Sequence, residues 1–156
     1  MEDFKNPYAP PKSETGFVPA KAGVQKVYSP TQGWAGTFLG GPLVGTYLLR
    51  ANFAAIGKSK HARQATLWGV VLSAVILLSL PFLPERTPGY ILPIAYSMTV
   101  RLIIERAQFT KNQIASSDKL AFHSNWRVLG VGLLGLVVFL ILGVAEFLLL
   151  PTLGLN

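Results

Sequence analysis

Residues 128–150 run for twenty-three positions with one charged interruption, Glu146. As a helix rising 1.5 Å per residue, that run measures about 34 Å. A hydrocarbon core about 30 Å thick needs roughly 20 helical residues. Residues 66–83 add eighteen positions without a charge, and residues 90–104 are apolar except for Arg101. Extending that third run through Glu105, Arg106 and Ala107 gives it spanning length. A further stretch, residues 34–57, starts in the same way. It then places Gly40, Gly41 and Pro42 in its middle and Arg50 in its apolar run. The pattern predicts an all-α integral membrane protein with four hydrophobic helical segments within residues 32–156.

Charge supports that reading. Only 13% of residues are charged, against about 25% in soluble domains. The net charge is +7, but the basic residues occupy the gaps between apolar runs, where headgroups would lie. A nucleic-acid domain instead clusters them on a folded face, so no nucleic-acid partner is expected. The chain has no cysteine, which removes disulfides and thiolate chemistry. Residues 1–31 carry five of the eleven prolines and read as a flexible tail with polyproline character. They contain no apolar core of signal-peptide length, so the internal segments are expected to direct insertion.

Lysines and arginines also suggest an orientation. Residues 58–65 carry Lys58, Lys60 and Arg63, and residues 105–127 carry Arg106, Lys111, Lys119 and Arg127. Both loops are expected in the cytoplasm, with the 84–88 turn and the C-terminus outside. Trp68 and Trp126 then fall at the inner interface. If residues 34–57 dip in and return, thirteen of the fourteen Lys and Arg residues lie on one side, Arg86 excepted. Gly40-Gly41-Pro42 suits the tip of such a turn, because glycine permits unusual dihedrals and proline interrupts a helix. The alternative is a complete span in which the pairs Gly36/Gly40 and Gly41/Gly45 bring helix backbones together. We favour the re-entrant form on the charge count.

Few residues suggest chemistry. His61 and His123 stand in separate basic loops without acidic neighbours, so no metal site is expected. No phosphate loop, nucleophile elbow or carboxylate pair is present, and neither an enzyme nor a cofactor is expected. Charges at membrane depth are more informative. Arg101 and Glu105, four apart, should pair on one helix face, and Arg50 is expected to join them. Glu146 should lie near the opposite interface, with Arg86 its nearest cation.

The stretch "YSPTQGWAGTFLGGPLVGTYLLRANFAAIGKSK" followed by "SNWRVLGVG" resembles a set of small bacterial inner-membrane proteins without an assigned activity. The resemblance covers roughly residues 28–135. It implies a bacterial cytoplasmic membrane and a shared architecture, and carries no functional residues across. "NPYAPP" resembles leaders on the cytoplasmic side of similar proteins, which favours an inside tail. Two functions follow as expectations. One is partner binding without catalysis, as an accessory subunit of a membrane complex or a toxin-immunity protein, with the bilayer and a protein partner or second copy as its contacts. The other is an oligomeric small transporter or channel using Glu146 and the Gly-rich first segment.

Overall fold

The computed structural model describes residues 23–84, 86–149 and 152. The chain is mostly helical. In order come strand β1 (Gln25–Val27), α1 (Pro30–Ala55), α2 (Ser59–Ser79) with a 3-10 turn Leu80–Phe82, and α3 (Ile91–Ile103) with a π turn Ile104–Gln108. Then follow α4 (Lys111–Ala115), strand β2 (Leu120–Phe122) and α5 (Asn125–Leu149).

α1 is a hairpin of two antiparallel arms. Ser29 starts it with a capping box: its hydroxyl accepts from Gln32 N, and Gln32 Oε1 accepts from Ser29 N. Pro30 occupies the first turn, where its missing N–H costs nothing. The helix breaks at Gly41, whose φ of 79° and ψ of −176° lie in a region open essentially only to glycine. Pro42 then starts the second arm as Pro30 started the first. In a continuous helix Tyr28 and Asn52 would stand about 36 Å apart. Here the Tyr28 N–H donates to Asn52 Oδ1 at 2.8 Å. A methyl on Gly36 would lie 3.0 Å from Leu48, and one on Gly45 would lie 2.9 Å from Thr37. Residues 34–57 therefore turn back on themselves, and the complete-span alternative is set aside.

The hairpin is the hub: α2, α3 and α5 each pack against it and hardly against one another. Its tip meets α5 backbone to backbone. A Cβ on Gly40 would fall 2.5 Å from the Gly132 carbonyl oxygen, and one on Gly135 would fall 2.8 Å from the Gly40 oxygen. Gly41 lies against Phe139, fourteen residues into α5, so the tip reaches about 21 Å along that helix.

α2 with its 3-10 turn, and α5, are long and apolar enough to cross a membrane. Only 6% and 17% of their apolar windows are buried, so neither is the enclosed core helix of a globular domain. Instead they present broad apolar faces outward, including Leu67, Val71, Leu134, Ile141 and Phe147.

Two expectations are corrected here. The protein is not wholly helical: β1 and β2 form a parallel pair, with Gln25 opposite Leu120 and Val27 opposite Phe122. The fold also starts earlier than residue 32. Val27 and Tyr28 are fully buried, so residues 25–31 belong to the folded unit; the rest of the expected tail, residues 1–22, lies outside the described residues. Val27 packs with Leu49, Val100, Ile104, Phe109 and Ile114. That cluster closes the end where the hairpin arms open, α3 finishes and α5 begins. Ten of the eleven Lys and Arg residues between positions 23 and 149 lie at or near this basic end. Arg86 stands alone at the far end.

Candidate functional site

Asn52 fastens the open end of the hairpin. Fully buried, it accepts from Tyr28 N, donates to Tyr28 O at 2.9 Å and donates to Gln108 Oε1 at 2.8 Å. Gln108 Nε2 in turn donates to Leu49 O at 3.1 Å. One side-chain amide thus serves Tyr28 as a neighbouring strand would, and ties the start of α1 to its end and to the end of α3. Sequence reasoning missed Asn52. Its only signal was a lone polar residue among apolar neighbours.

Beside it, the Tyr28 ring stacks on His123 with centroids 4.2 Å apart. The Tyr28 hydroxyl is buried and completes no hydrogen bond among the described residues; burial, then the neighbouring Tyr47, raises its pKa. His123 is held below its ordinary value by burial first, then by Arg127 and Lys26. Its carbonyl accepts from Gln32 Nε2 at 2.7 Å, which joins the α1 capping box to the start of α5.

The second feature is a groove of about 570 Å³ between α2 and α3, floored by the second hairpin arm. Leu72, Ile76, Leu92 and Ala95 line its length, and His61 and Gln64 stand at its basic end. It exists because α2 and α3 both rest on the hairpin without closing over it. Gly69 allows α2 to seat on Thr46, whose hydroxyl donates to Pro42 O at 2.9 Å.

The expected site residues divide. Gly36, Gly40, Gly41, Pro42 and Gly45 are all buried in the hairpin and serve both as tip and as close-packing surface. Gly33 on the first arm, against Ile104, and Gly69, Gly132 and Gly135 on the helices that face the hairpin do the same packing work and were not singled out. Arg101 and Glu105 pair as expected, at 3.1 Å, but their side chains are 44% and 35% exposed. Arg50 does not join them. It borders a separate cleft with Arg63 and Ser59 on the other side of α2, because the rotation of the second arm turns it away from α3. Glu146 and Arg86 form no ion pair, and Glu146 lies seven residues beyond Phe139, about 10 Å past the hairpin tip.

Among the described residues no three His, Asp or Glu side chains come together as a metal-binding group. No protein-family model, curated protein or solved structure matches the chain.

Proposed function

We propose that this is a multi-pass protein of a bacterial cytoplasmic membrane that acts by binding within the bilayer rather than by catalysis. In this reading all four hydrophobic segments lie in the membrane, with α1 re-entrant and the basic end in the cytoplasm, including residues 58–65, expected as a loop but forming the first turns of α2, and residues 105–127. The observation that carries it is the combination of outward apolar faces on α2 and α5 with basic residues gathered at one end. Lipid covers the first, and the positive-inside rule accounts for the second. The hairpin fits as well. A re-entrant tip is tolerable only where protein covers it, and α5 meets the tip through Gly132 and Gly135. An accessory or immunity-type role suits the outward apolar faces of α2 and α5, from which a partner's membrane helix could displace lipid.

The transporter reading has less support, since Glu146 and the hairpin tip are about 10 Å apart along α5. Cysteines introduced at Ser59 and Ser117 test the topology. They should resist an impermeant maleimide in intact cells and react once the cells are permeabilised. Labelling in intact cells would reverse the orientation. Robust ion-specific flux from purified protein in liposomes would replace the binding role with transport.

A further inference from the structure

We propose that the groove between α2 and α3 holds one acyl chain of an anionic phospholipid, whose phosphate rests at the basic end beside His61, Gln64 and Lys60. The proposal rests on the membrane reading above and names the ligand of the groove between α2 and α3.

Shape restricts the occupant. The lining of α2 runs from His61 to Ile76, fifteen residues or about 22 Å. That matches the depth from a headgroup to the midplane of a core about 30 Å thick, with some headgroup region added. Over that length the walls are almost wholly apolar, with Trp68, Leu72 and Ile76 on one side and Leu92, Ala95 and Ile103 on the other, which suits a single unbranched chain lying along them.

Chemistry restricts the other end. His61 and Gln64 are the polar residues where the groove meets the basic end, and both carry N–H donors suited to a phosphate. Lys60 precedes Gln64 by four residues and Trp68 by eight, so it extends the same helix row one turn outward. On the opposite wall, α3 finishes in the π turn that contains Arg106. The wider basic end sets ten Lys and Arg residues against Glu105 and Asp118. A zwitterionic headgroup would gain little there, whereas an anionic one gains from each nearby cation.

The test places purified full-length protein in vesicles of equimolar phosphatidylglycerol and phosphatidylcholine. Flotation is followed by detergent extraction and native mass spectrometry of retained lipid. Wild type should float and retain one phosphatidylglycerol, about fivefold over phosphatidylcholine per engaged cation. Ala95→Trp, which fills the groove, should abolish retention of both lipids. Ala65→Phe does the same from the facing wall and serves if the first variant fails to fold. Lys60→Glu lies on the exposed surface; it should keep the lipid adduct and lose the preference. Protein that fails to float overturns the membrane reading itself. Protein that floats yet retains no lipid, retains both equally, or retains lipid unchanged in the filled variants overturns the groove assignment.

Discussion

Replacing Asn52 with alanine removes the clasp on the hairpin and nothing else of comparable size. Three hydrogen bonds disappear, two of them to the backbone of the fully buried Tyr28. Gln108 keeps its bond to Leu49 O and can turn its amide, so its loss is partial. Among the described residues the Tyr28 N–H and C=O make no other hydrogen bond, and each buried orphan costs about 1–3 kcal/mol. Asn52→Ala should therefore destabilise by about 3–5 kcal/mol once the small cavity is added. Gln108→Ala, which leaves both Tyr28 bonds intact, should cost only about 1–2 kcal/mol. The double variant should fall short of the sum, because the two side chains share a bond. Unfolding in mixed micelles by SDS titration, followed by circular dichroism, measures all three. An Asn52→Ala protein within 1 kcal/mol of wild type, or strict additivity with Gln108→Ala, would refute the clasp.

Three further outcomes follow from the same structure. Gly40→Ala drives a methyl into the Gly132 backbone and should destabilise by about 2–4 kcal/mol, while Gly143→Ala, with open space around it, should be neutral; equal effects in the same titration would remove the backbone contact at the tip. Glu105→Gln should cost under about 1 kcal/mol, because its pair with Arg101 is exposed on both sides at the basic end, where headgroups and water screen it. A loss of several kcal/mol would instead indicate the buried three-charge cluster that the sequence suggested. His123 is depressed below 6.5 in the folded protein by burial, Arg127 and Lys26, so the unfolded chain takes up its proton first as pH falls. The stability it contributes is present above about pH 6.5 and is lost on acidification toward the folded value. His123→Gln should flatten that dependence; an unchanged pH profile would mean the ring stays solvated.

The parts of the fold that were legible in the sequence are those with local causes. Long uncharged runs gave α2 and α5, and Gly40-Gly41-Pro42 marked a turn because no other trio so readily combines a positive φ with a helix start. The Arg101–Glu105 pair needed only helical spacing. What was illegible depends on partners far along the chain. β1 has three residues and exists because β2, ninety-five positions later, runs beside it. Asn52 gains its role from Tyr28, twenty-four residues earlier, and Gln108, fifty-six later. Arg50 was placed by depth alone, and depth does not specify which face of an arm meets α3. The groove was invisible for a related reason: it is the space left between two helices that share a floor.

The hairpin in α1 carries the account, and one distance tests it. Spin labels at Thr31 and Ala54 sit on exposed positions near the two ends of the segment, twenty-three residues apart. With antiparallel arms packed 8–10 Å apart, the labels should report about 10–20 Å by pulsed electron resonance. A distribution centred near 35 Å, the length of a straight helix between those positions, would contradict the hairpin and the re-entrant reading built on it.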